Sequence, residues 1–137
     1  MQLEIINNPD ESQIVVYKAA RVIYAETYPS SLPSAEALAS VIRNIMVQTE
    51  RSLTDVISDE NIFDSLKENS PRHKYLQSDI KNNRAFQMCL RVVERMMHGN
   101  LSDTCFGATR FHHADEMPDW ATSRGYIADI DGLLFYL

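Results

Sequence analysis

The chain has 137 residues, of which 45% are hydrophobic, and its net charge is −6. This length and composition predict one globular domain, residues 1–137, with a single apolar core. The acidic balance and the lack of a Lys/Arg cluster interleaved with aromatic residues argue against nucleic acid as a partner and against docking on anionic lipid.

The N-terminus has none of the features of a signal peptide. The segment MQLEIINNPDESQ lacks a basic region and a long apolar run, and no segment is apolar for long enough to span a bilayer. We therefore expect no membrane insertion. Three possibilities stay open: the protein remains where it is made, its export signal is missing from this sequence, or another factor releases it.

The first predicted helix begins near Asp10 or Ser12, because both are good N-cap residues after Pro9. Helical periodicity places five positions on one stripe of this helix: Val15, Ala19, Val22, Ile23 and Glu26. Glu26 lies near the middle of that stripe, and Tyr24 is predicted to point to the opposite side. A carboxylate thus stands where an apolar residue is expected.

The segment YPSSLPSAEA ends the first helix, and Ser34 is the predicted N-cap of the second, with Glu36 in its first turn. Its apolar stripe is Leu38, Val41, Ile42, Ile45 and Thr49. RSLTDVIS predicts a short helix. The polar segment Asp59–Ser78 predicts a long ordered loop with a helical turn, and loops of this length are often functional.

The third long helix is predicted from about Asn82 to His98. Its apolar stripe is Phe86, Cys89, Leu90, Val93 and Met97. The tail then changes period: GATRFHH alternates like a strand, and GYIADIDGLLFY predicts a hairpin with Asp131-Gly132 in a type I′ turn. The predicted fold class is α+β, mainly helical, with a small antiparallel sheet at the C-terminal end.

Glu26 has a functional and a purely structural interpretation. An ionised carboxylate buried without a partner is costly, so it pairs, protonates or borders a cleft. An apolar environment raises the pKa of a carboxyl group, which would suit Glu26 to act as a general acid. Alternatively, a glutamate in the last helical turn bends back to solvent or pairs with an arginine, and the helical wheel alone favours this second interpretation.

The segment GATRFHHADEMPDW concentrates polar and aromatic residues, and three interpretations are open. A metal site could use His112, His113, Asp115 and Glu116, but neither HxH nor HExxH spacing is present. In a sugar-binding cleft, Thr109 and a histidine would bond hydroxyl and N-acetyl groups. The aromatic rings that could stack on pyranose faces are those of Phe111, Trp120, Tyr126 and Tyr136. Ordinary core aromatics beside a solvated acidic loop are the third possibility.

The tail resembles the C-terminal signature of the SleB-type cell-wall hydrolases, which include the spore cortex-lytic enzymes. The matching motifs, in order, are Gly107-Ala108-Thr109, Phe111-His112, Pro118-Asp119-Trp120 and Phe135-Tyr136. ARVIYAE resembles the family helix that ends in its catalytic glutamate, and ALASVIRNIM resembles the helix that follows. Asn44 stands where that second helix typically has an asparagine. The resemblance covers about Ala20 to Tyr136.

The resemblance implies a fold similar to lytic transglycosylases and goose-type lysozymes. It also implies cleavage of the β-1,4 bond between N-acetylmuramic acid and N-acetylglucosamine in peptidoglycan, with Glu26 as acid and base. The expected substrate-binding residues are Thr109, His112, Trp120, Tyr126 and Asn44. We expect a monomer that acts on glycan strands at the bacterial cell wall, periplasmic or extracellular, without a cofactor or metal.

The segment TYPSSLP after Glu26 departs from the family, which commonly continues with Ala-Arg-Gly-Glu and then Gly-Gln. Asp131 and Leu133 stand where the family usually has a Gly and a His before the closing aromatics. These departures leave two rival hypotheses open. One is a catalytically impaired paralogue that binds peptidoglycan or serves as a structural component, and the other is the metal-dependent hydrolase.

Overall fold

A computed structural model describes residues 7–77 and 80–137 and shows an α+β fold in which about half of the chain is helical. The α-helices of this part are α1 (Asn7–Thr27), α2 (Leu32–Thr49), α3 (Leu53–Ile57), α4 (His73–Leu76) and α5 (Arg84–Met97). A 3₁₀ helix spans Asp64–Leu66. The strands are β1 (Arg110–His113), β2 (Tyr126–Ile130) and β3 (Leu133–Tyr136). The predicted fold class, a helical part followed by a small antiparallel sheet, is confirmed.

The predicted stripe of α1 faces the core. Ala19, Val22, Ile23 and Glu26 are all buried, and Val15 is partly buried. The helix is already formed at Asn7, ahead of the predicted start at Asp10 or Ser12. Tyr24 is buried as well, because α5 covers a second face of α1 and Tyr24 packs edge-on against Phe86.

Helix α2 begins three residues earlier than predicted. Ser31 is the N-cap, and Ser34 is the third helical residue. The Ser31 side chain accepts a hydrogen bond from the Ser34 amide, and the Ser34 hydroxyl accepts one from the Ser31 amide. Pro33 fits here because the first turn of a helix needs no amide donor. Glu36 instead pairs with Arg95 of α5 at 2.6 Å.

The middle of the chain follows the prediction closely. The short helix is α3, and the loop from Asp59 contains the 3₁₀ helix and α4; its predicted end at Ser78 lies outside the described residues. Helix α5 is capped by Asn83, whose side chain accepts from the Phe86 amide. Met97 is 46% exposed rather than in the core, because α1 and α2 both pack on α5 and bury Met96 instead.

The sheet has the strand order β1-β3-β2, with both pairs antiparallel. Asp131 and Gly132 have φ values of 51° and 85°, so both central residues of the β2–β3 turn are left-handed, as a type I′ turn requires. Phe111 joins the core beside Phe63 and Phe135. Within the described residues, no helix is long and apolar enough to cross a bilayer.

Candidate active site

Glu26 lies in the last turn of α1 and is 1% exposed. Its Oε2 accepts a hydrogen bond from the Ser65 amide at 2.8 Å. Its Oε1 lies 2.8 Å from His113 Nε2. Both carboxyl oxygens therefore have a partner, as burial of this group demands. The helix stripe predicted the burial, but the partners are neither solvent nor an arginine.

Three distant segments build this site. Ser65 belongs to the 3₁₀ helix and is 39 residues from Glu26, and His113 ends β1 at a separation of 87 residues. Because an amide N–H can only donate, Oε2 is always an acceptor. The proton between Oε1 and Nε2 has two positions. A carboxylate accepts it from the imidazole, and a carboxylic acid donates it.

Ser65 links the carboxyl group to a second histidine. The Ser65 carbonyl lies 2.9 Å from His73 Nδ1, and since a carbonyl only accepts, Nδ1 is the protonated nitrogen. The Ser65 hydroxyl is buried and has no hydrogen-bond partner among the described residues. The backbone of Ser65 thus connects the 3₁₀ helix with α1 through its N–H and with α4 through its carbonyl, which fixes the position of the Ser65 amide.

A pocket of about 240 Å³ opens beside Glu26. Its ionisable lining residues besides Glu26 are Arg72, His113, Asp115 and Asp131. Tyr28, which also lines the pocket, stacks on Tyr75 with ring centroids 3.9 Å apart.

A contact between two loops lies beside this pocket. The Ser31 hydroxyl donates to Asp131 Oδ2, which ties the α1–α2 loop to the β2–β3 turn. Asp131 lines the Glu26 pocket, as does Tyr28. The α1–α2 loop and the β2–β3 turn therefore form part of the rim of the pocket.

His112 and Trp120 lie together in a second groove of about 400 Å³. The Trp120 ring packs edge-on against His112, with centroids 5.7 Å apart. His112 Nδ1 lies 2.8 Å from the His113 carbonyl, so Nδ1 donates, and Nε2 accepts from the Tyr136 hydroxyl at 3.0 Å. These bonds leave His112 no free ring nitrogen, although its ring still lines the groove.

The other three predicted binding residues are placed differently. Thr109 lines a pocket of about 200 Å³ with Trp120. Tyr126 is 46% exposed and packs edge-on against Tyr136. Asn44 is buried, and its Nδ2 donates to the Ala108 carbonyl at 3.0 Å. The structure therefore gives Asn44 a role in joining α2 to the segment before β1, and its predicted contact with substrate stays a prediction.

His112 and His113 have different neighbours, as adjacent residues of a strand do. His113 bonds Glu26, and the His113 amide donates to Glu116 Oε1 at 3.1 Å. Among the described residues, no three His, Cys, Asp or Glu side chains are grouped as metal ligands would be. The arrangement thus gives no support to the hypothesis of a metal-dependent hydrolase.

Sequence reasoning missed Ser65 and Arg72 as site residues and considered His113 mainly as a metal ligand. Ser65 contributes its backbone amide, which every residue except proline has, so no side-chain pattern could have revealed it. Arg72 and His113 reach Glu26 only through the fold. Comparison with known protein families, curated proteins and solved structures gives no match to this chain.

Proposed function

We propose that the chain is a peptidoglycan-cleaving glycosidase with a lysozyme-like helical part, most simply a lytic transglycosylase, and that Glu26 is its acid and base. One observation carries the proposal: a buried carboxyl group at the end of α1 borders an open pocket and is held by His113 and the Ser65 amide. Positioned carboxyl groups of this kind perform general acid catalysis at glycosidic bonds. The resemblance of the tail and of ARVIYAE to the SleB family supports the same residue.

The proposed reaction uses Glu26 twice. The carboxylic acid first donates its proton to the glycosidic oxygen while the bond from C1 to that oxygen breaks, and positive charge develops on the muramic acid ring. The carboxylate then takes the proton of the C6 hydroxyl, and the C6 oxygen bonds to C1. The products are a free 4-hydroxyl end and a 1,6-anhydro end, and no water is consumed.

Each partner of Glu26 has a definite part in this proposal. The Ser65 amide holds Oε2 in place, which leaves Oε1 as the oxygen that exchanges protons. His113 Nε2 is the hydrogen-bond partner of Oε1 in this structure. The glycosidic oxygen must therefore replace His113 as the partner of Oε1, and a small rotation of the imidazole or the carboxyl group is required when substrate binds.

The lytic route is preferred over hydrolysis because Glu26 is the only buried acidic side chain among residues 14–77 and 80–137, whose burial the structure describes. A hydrolase would usually need a second carboxylate about 5–9.5 Å away. The acidic residues of the segment after β1 are Asp115, Glu116 and Asp119; Glu116 accepts a bond from the His113 amide, and Asp115 lines the Glu26 pocket. Asp115 is thus the residue on which a hydrolytic variant of the proposal depends.

Purified sacculi digested with wild type, Glu26→Gln and Glu68→Gln test the proposal. Glu68 is an exposed glutamate and controls for the loss of one charge. We expect wild type and Glu68→Gln to release muropeptides with anhydro ends, one water lighter than reducing ends, and Glu26→Gln to release none. Reducing ends would show hydrolysis instead. Release that is unchanged in Glu26→Gln would remove this glutamate from the mechanism.

The second candidate is a catalytically impaired paralogue that binds peptidoglycan. Its supporting observation is the small Glu26 pocket, about 240 Å³ against about 300–1,000 Å³ for typical ligand sites, with its rim closed by the Ser31–Asp131 contact. Binding of sacculi by wild type without release of any fragment would establish this candidate. Ser31→Gly/Asp131→Gly, which removes the Ser31–Asp131 contact, would then show whether this contact blocks cleavage.

A further inference from the structure

A groove of about 900 Å³ follows the outward face of α5 and shares no lining residue with the Glu26 pocket. We call it the α5 groove. Its apolar lining residues are Leu32, Met88 and Val92. Leu32 is 48% exposed although it is apolar. The groove therefore offers an apolar floor that a flexible ligand could cover.

The rim of the α5 groove is basic. Arg84 and Arg91 line it, are exposed, and have no ion pair or hydrogen bond with any described residue. Arg95 lies in the same row, but Glu36 neutralises it at 2.6 Å. Glu94 is the one acidic residue among those that line the groove. A basic rim on a chain with a net charge of −6 favours a ligand with negative charge.

The distance between Arg84 and Arg91 indicates how far apart the negative charges of a ligand would be. They are seven residues apart on one helix, so they lie on the same face about 10 Å from each other. An extended peptide advances about 3.3 Å per residue, so carboxylates three residues apart match this spacing. Arginine also forms bidentate pairs with carboxylates. The α5 groove is therefore suited to an extended acidic peptide.

One short segment connects the α5 groove with the Glu26 pocket. Leu32, which lines the groove, follows Ser31 in the chain, and Ser31 donates to Asp131, which lines the Glu26 pocket. This connection favours a peptide that is attached to the glycan as the ligand of the groove.

We propose that the α5 groove binds the acidic stem peptide attached to the muramic acid residues of the substrate, through Arg84 and Arg91. The short stem peptide carries one carboxylate near its attachment point and another at its C-terminus, and its methyl groups cover Leu32 and Met88. This choice of occupant rests on the proposed glycosidase function. The groove would make peptide-bearing strands better ligands than naked glycan.

The test measures peptide binding without requiring cleavage. The free stem peptide, released from peptidoglycan by an amidase, is titrated into ¹⁵N-labelled full-length protein and followed by amide chemical shifts. The variants are Arg84→Gln/Arg91→Gln and, as a matched control, Arg43→Gln/Arg124→Gln, which removes two exposed arginines that do not line the groove. Tetraglutamate serves as an unrelated acidic peptide.

We expect shifts along α5, affinity about fivefold weaker in Arg84→Gln/Arg91→Gln, and affinity within about twofold of wild type in the control. Tighter binding of tetraglutamate than of the stem peptide would overturn the proposal in favour of an acidic protein partner. Equal losses in both double variants would show nonspecific charge attraction and would also overturn it. Sacculus cleavage is scored separately, so peptide binding without cleavage refutes only the glycosidase, and cleavage without peptide binding refutes only the groove.

Discussion

The hydrogen bond between Glu26 and His113 should be worth a measurable coupling free energy. Its two atoms are 2.8 Å apart, and both side chains are almost completely buried. An intramolecular hydrogen bond contributes about 0.5–1.5 kcal/mol, so we expect a coupling of about 0.5–1.5 kcal/mol between the two side chains. If His113 merely filled space beside Glu26, no coupling of this size would arise.

A double-mutant cycle measures this quantity. Glu26→Gln, His113→Phe and the double variant are unfolded with urea, and the coupling is the difference between the double variant and the sum of the singles. At this chain length, each kcal/mol lost also lowers Tm by about 3–5 °C. His113→Phe alone should destabilise the protein most, because it leaves a buried carboxyl oxygen without a donor.

The outcome also bears on the mechanism. A coupling below about 0.5 kcal/mol, the error expected for independent sites, would refute the conclusion that His113 holds the catalytic carboxyl group. The same cycle applied to Glu26 and His112 is the control, because His112 bonds the His113 carbonyl and Tyr136 instead. We expect little coupling there.

Three other predictions follow from the packing. Asn44→Ala should lower the free energy of unfolding by about 1–3 kcal/mol, because the Ala108 carbonyl loses its donor; normal stability with lost glycan binding would instead establish Asn44 as a substrate contact. Gly132→Ala should lower the free energy of unfolding in urea by about 1–2 kcal/mol, because the φ of Gly132 is 85°, which strains a residue with a Cβ. No atom lies within 4 Å of an added Cβ, so the backbone alone causes this cost. A neutral result would contradict that backbone conformation. Burial raises the pKa of the Cys89 thiol to about 11. Because the unfolded chain then loses this proton at lower pH than the folded one, stability should fall between about pH 9 and 11, less so in Cys89→Ala, and equal loss in both would contradict the assignment.

The amino-acid sequence by itself determined most of the helices and strands and the burial of one site residue, Glu26. The 3.6-residue stripe of α1 predicted that Glu26 would be buried, and the period of 2 with Asp131-Gly132 predicted the β2–β3 hairpin. These features are local, because helical and strand periodicity and turn conformation depend on residues close in the chain. The burial of Tyr24 was not predicted, because it depends on a second helix, α5, that packs on this face of α1.

Only the tertiary structure decided what surrounds Glu26. Its two partners come from segments 39 and 87 residues away, and one of them is a backbone amide. No local pattern records such a contact, because any residue but proline supplies an amide and a histidine on a strand faces whatever packs against it. The Ser31–Asp131 contact arises in the same way, from elements that meet only after the chain has folded. So does the position of Leu32 beside the arginines of α5.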